Sequence, residues 1–244
     1  MTFKIRIADI CVEVSSIYDR VYDFCQDYLD EKSIPMISIS IEFNDLKQEA
    51  ELNREEWPMS EERAAYMEML ALYRKIAEAF LTRNIFLMHG AVLSAGGAGV
   101  MFTAPSGTGK TTHCRLWMKH IRGCHMVNGD KPLVQVGTDG VMAYGTPWYG
   151  KEHMGCNEQV PLRAVCYVKR SEENRLTRVS SSAVWTLLLK QVYFPKDAQG
   201  IQQTIALFNQ FCAKVPVYLL ECNMEPEAAY CAYQALQADG VISL

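Results

Sequence analysis

Apolar and polar residues alternate from Phe3 to Val14, with Phe3, Ile5 and Ile7 set against Lys4 and Arg6, and this period of two predicts a strand over 3–14. From 17 to 29 the spacing changes. Ile17, Val21, Phe24 and Tyr28 share one face of a helix. The run 36–43, MISISIEF, reads as a second strand, and the acidic, polar stretch from Glu49 to Pro58 reads as a loop or short link. Ser60, followed by Glu61 and Glu62, carries the signature of a helix start, because a hydroxyl caps free amides and carboxylates suit the positive end. That helix continues through Met67, Leu70, Leu72, Tyr73, Ile76 and Phe80.

Beyond residue 82 the pattern becomes strand-rich. The runs IFLMHGAVLS and AGVMFT flank Ala95-Gly96-Gly97, and paired glycines between strand-like runs predict a hairpin, since tight hairpin turns need positive φ. A helix follows from Thr111 to about 121. Then come strand-like runs at HMVNGD, PLVQV, VMAYG and RAVCYVKR, with the turn at 137–140 predicting a second hairpin and 171–174 a third. Helices around 181–192 and 199–212, a strand VPVYLLECN, and a last helix opened by Glu225-Pro226 complete the chain. The organisation expected is an N-terminal α+β accessory region over 1–82 and a second domain over 83–244. Short links force neighbouring strands to pair antiparallel, so the fold expected is α/β (α+β) with mixed, largely antiparallel sheets.

Composition narrows the class without naming a chemistry. The chain has 244 residues, 49% hydrophobic and 21% charged, which excludes disordered, collagen-like and coiled-coil readings. With 24 basic against 28 acidic residues the formal net charge is −4, and no nucleic-acid partner is expected. The stretch Ile85–Gly109 lacks Asp, Glu, Lys and Arg, yet its six glycines and one proline break it into short apolar bursts, so no membrane span is expected. The nine cysteines are odd in number and show no C-x-x-C spacing, and several sit in apolar runs where a free thiol acts as a small hydrophobe. Reduced thiols and an N-terminus without an export-type apolar core lead to a cytoplasmic expectation.

The chemistry concentrates at Ala104–Thr111, APSGTGKT, which fits the [AG]-x-x-x-x-G-K-[ST] phosphate-loop pattern. Gly107 and Gly109 allow successive N–H groups to converge on an anion, and the helix that follows adds its positive end. Ser106, Gly107, Thr108, Gly109, Lys110, Thr111 and Thr112 are therefore the expected nucleotide-binding set. Lys110 would reach the β- and γ-phosphates, and the Thr111 hydroxyl would hold Mg²⁺.

His89-Gly90-Ala-Val-Leu, the glycine hairpin, Gly99-Val-Met-Phe-Thr, the phosphate loop, a helix and Met126-Val-Asn-Gly-Asp130 together resemble the core of bacterial HPr kinase/phosphorylase, a family related to the nucleotide-binding part of phosphoenolpyruvate carboxykinases. The resemblance covers about residues 85–170. It implies a P-loop kinase fold on mixed sheets, ATP and Mg²⁺ as cofactors, and phosphoryl transfer to a hydroxyl. By position Lys110 and Thr111 match the family's phosphate and metal contacts, His89 its active-site histidine, and Asp130 the second of its paired aspartates. The chain departs from the family in three places. Gly129-Asp130 stands where two aspartates are usual, Thr146–His153 replaces the acidic signature that follows, and residues 1–80 do not match the family's regulatory domain.

Asp130 is the expected metal ligand or general base, with the turn N-G-D-K-P as the structural alternative. His89 is a catalytic or orienting candidate, although a histidine in an apolar run is as readily a hydrogen-bonded core residue. Glu152, in Gly150-Lys151-Glu152-His153, is a candidate replacement for the missing carboxylate. Lys151 in the same run is a candidate phosphate contact, with an exposed charged loop as the structural alternative for both, Arg163 is a weaker phosphate contact, Lys131 a solvated neighbour, and His113 a residue that either nears the phosphates or faces the sheet. The leading expectation is an ATP- and Mg²⁺-dependent kinase acting on a protein or small-molecule hydroxyl. The alternatives are a catalytically silent nucleotide-binding accessory protein and carboxykinase-like transfer on a small keto acid. Residues 1–80 carry no visible chemistry and read as a packing or homo-oligomerisation element.

Overall fold

The computed structural model describes residues 1–243. The chain divides into two compact units, Met1–Phe80 and Leu81–Leu244.

In the first unit, strands β1 (Thr2–Ile7) and β2 (Ile10–Ser15) pair antiparallel, and β3 (Ile37–Ser40) joins β2 in parallel. The single strand expected over 3–14 is thus a hairpin. Its turn is made by Ala8 and Asp9 at φ of 51° and 60°, a conformation usually carried by glycine or asparagine and here announced only by Asp9. The helix expected over 17–29 is shorter: α1 spans Asp19–Phe24 and a 3₁₀ turn covers Gln26–Tyr28. The stretch expected as a loop from Glu49 is instead the second half of α2 (Phe43–Asn53). Glu42 and Asp45 close a capping box at its start, with Asp45 Oδ2 accepting from Glu42 N at 2.8 Å. Glu49 is buried against Arg74 of α3 (Glu61–Phe80) at 2.6 Å, so acidity there marks an ion pair rather than a solvated link. Ser60 caps α3 as expected, its Oγ accepting from Arg63 N at 3.3 Å. Ile5, Ile7, Val12, Val14, Leu46, Met67, Leu72 and Phe80 form the core and are fully buried.

The second unit is a mixed α/β fold. Strands β4 (Ile85–Leu87), β5 (Ala91–Ala95), β6 (Ala98–Thr103), β7 (His125–Asn128), β8 (Leu133–Val136), β9 (Val141–Tyr144) and β10 (Gln159–Arg170) run in the order β4-β8-β9-β10-β6-β5-β7, and β12 (Val217–Cys222) pairs with β10 and with β11 (Arg175–Val179). The two parallel pairings, β10 with β6 and β10 with β12, flank one strand, and the other pairings of this sheet are antiparallel. β10 joins two curled sheets: Gln159–Pro161 pair with β9, and after an irregularity between Leu162 and Ala164 the strand runs between β6 and β12.

Two expectations fail here. The apolar run IFLMHGAVLS is two strands, because the chain turns at His89-Gly90 and sends β4 to β8 rather than into the glycine hairpin. Residues 171–174 do not close a hairpin between β10 and β11; β12 lies between them after a return through α5 (Ser181–Leu189) and α6 (Ala198–Lys214). That parallel return buries β12 on both edges, a non-local gain that local turn chemistry cannot announce.

Alternate residues of the central strands feed two cores. Val100, Phe102 and Ala104, with Ala164, Cys166 and Val168, pack under α4 (Lys110–His120) and α7 (Pro226–Ala238), around Trp117, Ala228 and Ala232. Met101, Val165 and Val217 face the opposite way, onto Phe208 and Phe211 of α6. Both faces of the strand that leads into the glycine loop are therefore filled. Truncating Phe102 to alanine would cost about 3–5 kcal/mol.

Candidate functional site

The register of three strands builds the site. β5 runs antiparallel to both neighbours, with Ala91 opposite Phe102 on β6 and Val92 opposite Asn128 on β7. The start of β5 and the ends of β6 and β7 therefore share one edge. His89, the loop after Thr103 and the turn after Asn128 meet there without any long-range coincidence. Backbone contacts tie them together: Thr103 Oγ1 donates to His89 O at 2.7 Å, and Gly90 N donates to Asp130 O at 3.0 Å.

The loop at 104–109 holds its carbonyls on cations. Lys110, only 7% exposed, folds its ammonium back to donate to Ala104 O at 2.8 Å and Pro105 O at 3.4 Å. Arg170, at the end of β10, donates through Nε to Thr108 O at 3.0 Å and through a second nitrogen to Gly107 O. Thr108 Oγ1 donates to Pro105 O at 2.9 Å. These contacts engage the carbonyls of Ala104, Pro105, Gly107 and Thr108, and Thr108 N itself donates to Pro105 O at 3.3 Å. Gly107 and Gly109 sit at φ of 78° and 118°, which an L-residue adopts only under strain, and a Cβ on either would meet no atom within 4 Å, so the requirement is conformational rather than steric. α4 opens directly at Lys110, and the amides of Lys110, Thr111 and Thr112 in its first turn have no acceptor within the helix. Ser106 is exposed, and Thr111 and Thr112 are half-buried. Burial pushes the Lys110 ammonium below its ordinary value, and the nearby Asp130 carboxylate opposes that shift.

Asp130 is set by a side chain two residues upstream. The amide nitrogen of buried Asn128 donates to Thr146 O at 3.1 Å and to Thr146 Oγ1 at 3.0 Å, while its oxygen accepts from Asp130 N at 3.0 Å and Lys131 N at 2.7 Å. Thr146 Oγ1 in turn donates to Lys131 O at 2.8 Å. This fully paired network presents the Asp130 carboxylate to His89 Nε2 at 3.2 Å and Lys131 Nζ at 3.5 Å. Burial alone would raise the Asp130 carboxyl, but the hydrogen bond from His89 and the charge of Lys131 outweigh it and hold the group below the ordinary carboxylate value. His89 is held from behind by Gln191, whose backbone O accepts from His89 N at 2.7 Å and whose side-chain oxygen Oε1 lies 3.0 Å from Nδ1. Both ring nitrogens face oxygen acceptors, Asp130 Oδ1 at Nε2 and Gln191 Oε1 at Nδ1.

The position before Asp130 has no room for a second carboxylate. A Cβ on Gly129 would lie 2.6 Å from Tyr149 O and 2.9 Å from Met154 O, both backbone atoms of the segment that crosses above it. Lys131 N donates to Trp148 O at 3.1 Å, which fixes that segment in place. The single aspartate is thus a consequence of local packing.

The remaining candidates scatter. Glu152 is exposed and pairs with Arg115 of α4. Lys151 is exposed, and Arg163 is exposed at the irregularity in β10. His113 is a core residue at 2% exposure, accepting from Trp117 Nε1 at 2.9 Å and packed edge-on to Phe102, and burial pushes it down to about 4. Sequence reasoning missed Arg170, Asn128, Thr146 and Gln191. Asn128 could have been found, since asparagine ahead of Gly-Asp favours a side-chain-closed turn. Nothing local marks the other three.

No protein-family model matches the chain, and no curated protein matches it. Among solved structures, the chain is similar to the Hpr(Ser) kinase/phosphatase from Coxiella burnetii, at 12% identity and a TM-score of 0.39, covering 63% of this chain and 98% of that one. This is a distant structural similarity. Among the described residues, no helix is long and apolar enough to cross a membrane.

Proposed function

We propose that the second unit is a P-loop phosphotransferase that uses ATP and Mg²⁺ and delivers the γ-phosphoryl group to a hydroxyl. The observation that carries this reading is the shared edge: a glycine loop opening a helix, a buried lysine at its mouth, and a depressed aspartate held by a histidine. The residues suit the ligands. The carbonyls of the loop are turned onto Lys110 and Arg170, and the first-turn amides of α4 lack helical acceptors, which is what a triphosphate requires. Oxygen donors from the Thr111 hydroxyl and the Asp130 carboxylate suit a hard divalent cation. Mg²⁺, when bound, neutralises charge on the β- and γ-phosphates.

Within this reading Lys110 exchanges its two carbonyl acceptors for phosphate oxygens, and the ammonium that burial disfavours regains a full counter-charge. Asp130 accepts the proton of the acceptor hydroxyl as the acceptor oxygen bonds to the γ-phosphorus and the bond to the β–γ bridging oxygen breaks, leaving ADP. His89 orients the carboxylate through Nε2 and is itself fixed by Gln191. With position 129 closed to a carboxylate, Asp130 serves both metal and proton unless a water relays one of them. Glu152, engaged by Arg115, is not given the base role.

Calorimetry with ATP and Mg²⁺, paired with an assay of ADP formation using water as the acceptor hydroxyl, tests the proposal. Binding with slow ADP release is expected. Binding without any release would favour the silent accessory reading, which the closed position at Gly129 also supports, and absence of binding would remove both.

A further inference from the structure

We propose that His125, Cys156 and Glu158 form a binding site for a borderline-soft divalent cation of the zinc class, separate from the edge that carries Asp130. The backbone brings them together. β7 opens at His125, and the segment before β10 runs antiparallel beside it, bridged at Asn128 and Gly155, with Cys156 N donating to Val127 O at 3.1 Å. Continuing that register places Glu158 opposite His125, with Cys156 two residues back on the same face of its segment. Glu158 is anchored on its other side, its backbone O accepting from Gly145 N at 2.9 Å.

The side chains agree with the register. His125 Nε2 and Glu158 Oε2 are 2.8 Å apart, and the imidazole nitrogen, the Cys156 sulfur and the carboxylate oxygen all lie within 4.8 Å of one another. A tetrahedral ion with bonds of roughly 2.0–2.3 Å needs its donors about 3.3–3.8 Å apart, so small rotations of two half-exposed side chains suffice. The ion replaces the proton shared by His125 and Glu158 and the thiol proton of Cys156, both of which pass to solvent. The donor set of nitrogen, sulfur and oxygen selects the ion. Mg²⁺ and Ca²⁺ take oxygen ligands, whereas zinc accepts all three donor types and keeps a fourth position for water when the protein supplies three.

The placement has a consequence for the neighbouring turn. His125 lies three residues before Asn128, and Cys156 follows directly on the segment whose backbone closes over Gly129. A bound ion would staple β7 to residues 156–158 and so brace both ends of the chain that carries and covers Asp130.

Cobalt(II) titration of the full chain tests this, because thiolate ligation gives a near-ultraviolet charge-transfer band that an all-oxygen site does not. One cobalt per chain with that band, displaced by zinc, is expected. Cys156→Ser should abolish the band, since serine keeps the hydrogen bond to Met126 O but supplies no thiolate. His125→Gln and Glu158→Gln should keep the band and weaken binding by more than the roughly tenfold lost with a supporting hydrogen bond. Asp130→Asn should leave the band unchanged, which separates this site from the proposed Mg²⁺ site. If no band forms, or if Cys156→Ser or Asp130→Asn gives the opposite result, the site is overturned. Should Cys156→Ser fail to fold, unaltered cobalt affinity in His125→Gln and Glu158→Gln overturns it equally.

Discussion

Each unit buries a charged side chain near the start of a helix, and the two are held in opposite ways. Glu68, fully buried in the first unit, accepts from Ile17 N at 2.6 Å and Tyr18 N at 2.9 Å, the amides just ahead of α1. Burial pushes its carboxyl up and the two amides pull it back. Those donors lie just ahead of the first turn of α1, where the helix supplies no acceptor for them, so the pairing is structural. Lys110 in the second unit is nearly as buried, yet its acceptors are two backbone carbonyls of a glycine loop, those of Ala104 and Pro105. Burying a charge costs free energy in both places. Glu68 recovers it from two amides; Lys110 recovers part of it from Ala104 O, Pro105 O and the nearby Asp130 carboxylate, and under the proposed function a bound phosphate would supply the rest. A buried charge with permanent partners reads as architecture; one with exchangeable partners reads as a site.

That contrast can be broken by substitution. Lys110→Ala should lower ADP formation from ATP by about three orders of magnitude or more, while hydrogen exchange in the second unit stays near wild type. Loss of folding with loss of turnover would make Lys110 structural, like Glu68. Glu68→Ala should do the reverse. Two amides lose a buried acceptor, so hydrogen exchange should report the first unit destabilised by about 4 kcal/mol, with ATP affinity unchanged.

His113 sharpens the same distinction within the second unit. Its folded value near 4 lies below the ordinary 6.5, so between these values the unfolded chain binds a proton that the folded chain excludes. Stability is therefore full above the upper value and falls by about 3 kcal/mol as pH drops through that window. Urea unfolding at several pH values should show this slope in the wild type and a flatter one in His113→Gln, which keeps an acceptor for Trp117 but does not titrate. The smallest effect belongs to Arg170→Ala. It frees two loop carbonyls on an exposed surface, so ATP affinity should fall only several-fold, with melting unchanged.

Much of the fold was legible because it is local. Paired glycines at 96 and 97 marked the β5–β6 hairpin, Gly137–Gly140 marked β8–β9, and Ser60 marked α3. The failures share a cause. Ala8-Asp9 turns the chain without a glycine, α2 hides its buried face behind paired charges, and β12 enters beside β10 with Arg170 opposite Cys222, 52 residues on. Tertiary packing decides those features, and local preference does not record them. The loop residues were named from their spacing, Asp130 and His89 from the family resemblance, and the register of β5 explains why all of them share an edge. Arg170, Thr146 and Gln191 reach that edge from distant elements, and no neighbour in the chain signals them.

Asp130→Asn offers the most direct test of the central claim. The substitution keeps the size of the side chain and the backbone carbonyl that receives Gly90 N, and removes only the charge and the basic oxygen. ATP binding measured by calorimetry and ADP formation measured on the same samples should separate: affinity within several-fold of wild type, and turnover reduced by about 10²–10⁴. Turnover equal to wild type in Asp130→Asn would contradict the account.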